Sequence, residues 1–327
     1  MKQHVKQQAK QHLKLQKNAR RAHAQVPTRL SARLGTAWFA LATPFMLLFC
    51  PSLRADDIDQ QIEAKANGEV VIVNHRGKVD LIGWDRHEVS VVGELDDLTE
   101  NFIFERDGDR VRILVKMKRL QPWGDGSDLT IHVPAASQLR FRGVSTDLSI
   151  RDVSGGAHIR NVSGDVRGRG LGNRVRISTV SGDIDVERSD LSRMDCKTVS
   201  GRVQIDVAVR DLKIGSVSGD VDLELGLFES LRGETVSGSV DVRGRLDDGG
   251  VIEMLTVSGD LDLRLDPSLD AEIYARTGPG GDIENDLTET PPRKVFPAQH
   301  KLKTTSGQGN GRVHLGTVHG TIRIRPL

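Results

Sequence analysis

The tetrapeptide Val-Ser-Gly-Asp and its near copies return along this chain at an almost constant interval, and that recurrence limits what the chain can fold into. Copies begin at Val144, Val162, Val180, Val199, Val217, Val236 and Val257, in steps of 18, 18, 19, 18, 19 and 21 residues. A repeat of this length is one supersecondary unit that buries its apolar face only by stacking on its neighbours.

Aligned on the valine, the copies hold apolar residues four and six positions later: Ile184 and Val186, Val203 and Ile205, Val221 and Leu223, Val240 and Val242, Leu261 and Leu263. Spacing of two marks one face of a strand. Five and three positions before the valine stand Val175 and Ile177, Met194 and Cys196, Leu212 and Ile214, Ile252 and Met254. They predict a second strand facing the same interior. The alternation slips between the two strands at Thr-Val-Ser-Gly, where glycine supplies the backbone freedom of a tight corner. Length differences gather at the opposite corner, from the seventh residue after one valine to the sixth before the next, where insertions leave the stacked strands in register. The pattern predicts an all-β, single-stranded β-helix, or β-solenoid, with about 18–19 residues per rung and two main strands in each. A lone rung buries too little to offset the ordering of its backbone, so several must form together.

Residues 1–34 carry nine lysines and arginines and no acid, residues 35–50 are largely apolar, and Ala55 precedes Asp56-Asp57. This order predicts a secretory signal peptide over 1–55, cleaved after Ala55. Two other readings are weaker. The apolar run is short for a retained membrane anchor, and Phe49 stands where a lipoprotein signal wants a small residue before Cys50.

Removal of 1–55 changes the charge. The whole chain has 46 basic and 45 acidic residues, and ten of the basic ones leave with the leader, giving a mature net charge of −9. That argues against a nucleic-acid partner. The mature chain is expected to span no membrane, and Cys196, its remaining cysteine, reads as a small core residue.

Residues 56–140 predict degenerate amino-terminal rungs and a cap, with His75 at the valine position, Gly77 at the corner and Val79 and Leu81 inward. Residues 141–327 predict the regular array. Its last pattern, Val313, Leu315, Thr317, Val318, Gly320, Ile322 and Ile324, reads as a rung that closes it.

The outward positions three, five and seven after the valine stack carboxylates on one face. Asp183, Asp185, Asp220, Asp222, Asp260 and Asp262 form the candidate binding surface, interrupted by Arg202, Arg243 and Arg264. A solvated, aggregation-resistant face explains them most simply. Two carboxylates one strand step apart, such as Asp183 and Asp185, also approach the spacing used by inverting glycosidases, but no long loops rise beside them to build a cleft. The Gly-Gly-x-Gly-x-Asp pattern of calcium-binding rolls is absent from the sequence. The repeated corner serines have no base nearby in sequence, and His314 and His319 lack metal-ligand spacing. No catalytic residue, metal ligand or cofactor motif is assigned.

The serial Val-Ser-Gly-Asp corners, the opening Gly-Lys-Val-Asp-Leu-Ile-Gly-Trp-Asp and the export-type start resemble the bacterial "putative adhesin" family with β-strand repeats, a domain of unknown function, over roughly Ile62 to Leu327. The resemblance implies a β-helix in the cell envelope and carries over no catalytic residues. The leading expectation is an exported, non-enzymatic scaffold, in the periplasm or at the cell surface, that binds a glycan, matrix component or envelope protein. The alternatives are a polysaccharide-active enzyme using Asp183 and Asp185, and a periplasmic accessory to envelope-stress signalling.

Overall fold

The residues four after each valine line up because every rung repeats the same strand at the same phase. In the computed structural model, which describes residues 57–118, 126–296 and 298–327, Ile184 pairs in parallel with Val203, Val203 with Val221, Val221 with Val240, and Val240 with Leu261. The column continues back through Val166 and Leu148 to Val79. All of its members are buried. The protein is an all-β solenoid whose strands join one continuous hydrogen-bonded ladder.

A second column runs through Ile72, Phe141, Ile159, Ile177, Cys196 and Ile214. Gly233 follows, and the Met254 side chain from the next rung occupies the space its missing side chain leaves. Methionine is unbranched and adapts to such a gap. Cys196 is free and buried, and burial pushes its thiol up to about 12. Thiolate is the reactive form. In a Cys50→Ser chain a disulfide-type thiol reagent at pH 8 is therefore expected to leave the native protein unlabelled and to modify Cys196 at once in denaturant; rapid labelling of the native variant would show the thiol is not sealed in the core.

The variable corner contributes to the core as well. Leu191, Val207, Val209, Leu225, Phe228 and Leu246 are buried there, and the parallel ladder crosses the corner with register shifts at Glu187/Ser189, Val207/Asp211, Glu224/Leu227 and Phe228/Ser230, the second of which leaves 208–210 unpaired with the next rung. Bulges absorb the length differences, so strands such as Ile184–Ser200 and Val240–Ser258 pass the corner without a break.

Both ends depart from the simple winding order. Strand Glu69–Trp84 pairs directly with Gln138–Arg151 and, on its other side, with Arg110–Met117 and Ser127–Pro134. The intervening chain forms antiparallel strands: Asp57–Glu63 on Glu88–Glu94, that strand on Ser127–Pro134, and Thr99–Asp107 on Arg110–Met117. Strand Gln138–Arg151 runs through position 140 without interruption.

At the other end the expectation of a final rung that closes the array is corrected. The last strand, Thr321–Pro326, lies inside, between Leu261–Leu265 and Asp282–Asn285. Likewise Gly311–Thr317 lies between Val240–Ser258 and Ala271–Thr277. The outer rung is 271–285, and Gln299–Ser306 covers part of it by antiparallel pairing. Alternation records where a residue sits within a rung, but not which rung it is laid upon. The expected signal peptide over 1–55 lies outside the described residues.

Candidate functional site

Each residue of the repeated corner has a structural task except one. Where threonine precedes the valine it is buried; the Thr179 hydroxyl donates to the Ser181 carbonyl at 3.1 Å and Thr198 to Ser200 at 3.0 Å, whereas the Thr235 and Thr256 hydroxyls find no partner. The serine donates its amide and its hydroxyl to the valine carbonyl of the preceding rung, as Ser163 does to Val144. The glycine packs on the carbonyl of the preceding corner glycine. The aspartate carboxylate accepts the amide at its own position in the next rung: Asp147 from Asp165, Asp165 from Asp183, and Asp183 from Arg202 at 2.8 Å.

The valine side chain points outward, beside corner serines that are themselves exposed at Ser145, Ser218, Ser237 and Ser258. Val144, Val162, Val180, Val199, Val217, Val236, Val257 and Val318 are each 41–47% exposed. Stacked at the ladder spacing they form an apolar ridge about 34 Å long. An exposed apolar feature of such regularity marks an interaction surface more often than chance exposure.

A groove of about 900 Å³ runs beside the ridge, walled by Val199, Val217, Val236 and Val257. Its other side is built by residues four and two before each valine, which alternate outward along the strand: Asp195, Lys197, Lys213, Arg232, Glu234 and Glu253. Gly215, at one of these outward positions, leaves the floor open.

Charge is segregated around the rung. Over the seven copies from Val144 to Val257, the positions four and two before the valine hold seven lysines and arginines against three acids, whereas the positions three, five and seven after it hold six against twelve. Summed over the seven copies this outward column is net positive through Arg140, Arg142, Arg160 and Arg176 of its first three copies, while the groove itself holds three cations against three acids. Sequence reading missed it by looking only downstream of the valine, although the pattern two and four residues upstream carries the signal.

The acidic candidates occupy the opposite face in two roles. Asp183, Asp220 and Asp260 hold backbone amides of the next rung in the stack: Asp220 accepts Ser239 N–H at 3.0 Å, and Asp260 accepts Thr321 N–H at 2.8 Å and an Arg323 guanidinium hydrogen at 2.9 Å. The Thr321 amide first, and then the Arg323 guanidinium, hold the Asp260 carboxyl below its ordinary value against the opposing effect of burial.

Asp185, Asp222 and Asp262 lie two residues on. Asp222, Asp241 and Asp262 are in register on adjacent strands, and burial, then Asp262 and Asp222, pushes the Asp241 carboxyl up. Asp262 is held by Arg325 at 3.2 Å. Burial, followed by Glu187, pushes the Asp185 carboxyl up while Arg167 opposes it. Gln204, in register beyond Asp185, separates it from the Asp222 stack. Among the described residues no group of three or more His, Cys, Asp or Glu side chains is placed to hold a metal ion.

These two roles predict opposite responses. Asp183→Ala removes the acceptor of the Arg202 amide and is expected to cost about 1 kcal/mol. Asp185 accepts no hydrogen bond among the described residues and its charge is disfavoured where it sits, so Asp185→Ala is expected to be neutral or slightly stabilising. Urea unfolding of both variants checks this, and equal losses would contradict it.

No curated protein matches the chain. Solved structures with similarity include the "putative lipid binding protein" of Parabacteroides distasonis, at 12% identity over 83% of this chain and 97% of that one, with a TM-score of 0.45. Another is the "putative adhesin" of Bacteroides fragilis, at 11% identity over 83% and 98%, with a TM-score of 0.42. The Toastrack DUF4097 family model matches residues 97–207 and, overlapping them, 172–325. These matches take in most of the solenoid, and the chain belongs to the Toastrack DUF4097 family.

Proposed function

We propose that this protein is an exported, non-enzymatic scaffold of the cell envelope that binds a macromolecule, a glycan or an envelope protein, along the ridge-and-groove face. The observation that carries the reading is the valine ridge. Where the corner carries threonine, serine, glycine and aspartate in full, as at 179–183, those residues make contacts within the ladder, while the valine is left half exposed at eight corners. A solvated corner gains nothing from valine that serine or threonine would not supply. The basic and apolar regions of 1–55, followed by Asp56-Asp57, support export.

The test follows a tagged full-length chain through cell fractionation and then measures retention of envelope material by the isolated protein. It compares wild type with the triple variant Val199→Ser, Val217→Ser, Val236→Ser, checked for folding by circular dichroism. The reading expects recovery in the envelope fraction and saturable retention that the folded triple variant loses. Cytoplasmic recovery, or retention unchanged in that variant, would overturn it.

A further inference from the structure

We propose that the amino-terminal part of the ridge-and-groove face is a binding site for a linear, carboxylate-bearing polysaccharide, with Arg142 and Arg160 as its paired anion ligands. The inference rests on the scaffold reading and adds the partner's chemistry.

Arg142 and Arg160 face outward on neighbouring parallel strands, in direct register, two residues before Val144 and Val162. Both are exposed, and neither has an acidic or hydrogen-bonding partner among the described residues. The arginines beside them are neutralised: Arg140 by Glu69 at 2.8 Å and Arg176 by Asp195 at 3.3 Å. Like charges directly opposite on paired strands destabilise a sheet. The fold therefore gains nothing from this pair, and a ligand from outside does.

His158 reports the same local field. It lies in register between Arg140 and Arg176, its buried Nε2 has no partner, and burial, followed by Arg160, Arg176, Arg140 and Arg142, pushes the imidazole pKa down. An anion that settled here would meet several cations, and no carboxylate stands at the positions four and two before the valine on these three strands.

Geometry selects the class of anion. Guanidinium groups stacked one rung apart, about 4.8 Å, present two forks to successive carboxylates, and such forks bind carboxylates bidentately. Farther along the same outward column come Ser178, Lys197 and the opening at Gly215, so the track continues from the arginine pair into the groove, whose own charges balance. The valines two residues on give an apolar rail for the non-polar faces of sugar rings. A bilayer surface fits less well, because the rail holds short valines where interfacial segments use tryptophan, phenylalanine and leucine. A single-stranded nucleic acid would want aromatic platforms for its bases, and the track has none.

The experiment titrates the full-length protein, isolated from expressing cells, with fluorescent polygalacturonate oligomers, neutral dextran of equal size and phosphatidylglycerol vesicles. Wild type is compared with Arg142→Ser/Arg160→Ser and with Arg202→Ser/Arg243→Ser, which removes the same charge from the opposite face. Polygalacturonate binding that weakens with salt, falls about 100-fold in the first double variant and stays within about twofold in the second is the expected result, about tenfold for each guanidinium–carboxylate pair removed. Equal weakening in both variants, no preference over dextran, or binding to vesicles alone would overturn the assignment. Envelope material retained through the valine ridge by a protein indifferent to polygalacturonate would remove this site and leave the scaffold reading standing; retention of neither would remove both.

Discussion

Gly219→Ala is expected to lose about 3–5 kcal/mol of unfolding free energy, far more than a methyl group normally costs. Two effects add. Gly219 has φ of +129°, a region that L side chains rarely adopt, and holding alanine there costs on the order of 1–3 kcal/mol. The new Cβ would also meet the carbonyl oxygen of Gly201 far inside contact distance, with the Gly201 carbonyl carbon and amide nitrogen close behind. That neighbour is backbone at the equivalent corner of the preceding rung, so relief requires the two rungs to separate and forced overpacking adds about 1–3 kcal/mol. Gly108→Ala separates the two effects: φ there is +61° and a Cβ would touch nothing within 4 Å. It is expected to cost only about 1 kcal/mol. Urea denaturation followed by circular dichroism measures both. A Gly219→Ala midpoint close to that of Gly108→Ala would show that corner glycines are needed for their dihedral angle alone. A lower m-value for Gly219→Ala would instead report that the array has broken into two unfolding units, as a solenoid of nearest-neighbour contacts allows.

The same corner shows why part of this molecule was legible in its sequence. Ile184, Val203, Val221, Val240 and Leu261 fall in one column because strand alternation and the interval between valines together fix the position of a residue within a rung. They say nothing about which rungs touch. Ile322 is laid between Leu261 and Ile283, and Val79 beside Leu148, because the end segments that come between them in the chain are displaced outward. The direction of the valine was hidden for a different reason: alternation slips at the corner, where Thr179 turns in and Val180 turns out. Asp183 looked like one of a stack of free carboxylates. Its spacing equally suits a side chain that reaches one rung along the ladder to the Arg202 amide, and periodicity cannot distinguish the two. The basic columns were written as plainly as the acidic ones, but their pairing state was not. Arg140 and Arg176 find partners on neighbouring strands while Arg142 and Arg160 do not, and that follows only from register.

The variable corner supplies the second large effect. The stretch Gly226-Leu227-Phe228-Glu229 lies at the corner where rung length varies, and there the Phe228 ring is 1% exposed and Leu227 is 48% exposed. Bulges on both sides, at Glu224/Leu227 and Phe228/Ser230, reset the alternation so that the ring enters the interior opposite Leu246. Gly244 makes room for it, since a Cβ there would lie 3.0 Å from the ring. Phe228→Ala therefore empties a buried site backed by the paired strand of the next rung at Leu246, and a loss of about 3–5 kcal/mol is expected. Leu227→Ala, one residue away, should change stability by no more than about 0.5 kcal/mol. Paired urea titrations of the two variants decide whether this corner is a loop or a wall. If Phe228→Ala and Leu227→Ala unfold at the same urea concentration, the third inward-facing stretch contributes nothing to the core and the rung is held by its two main strands alone.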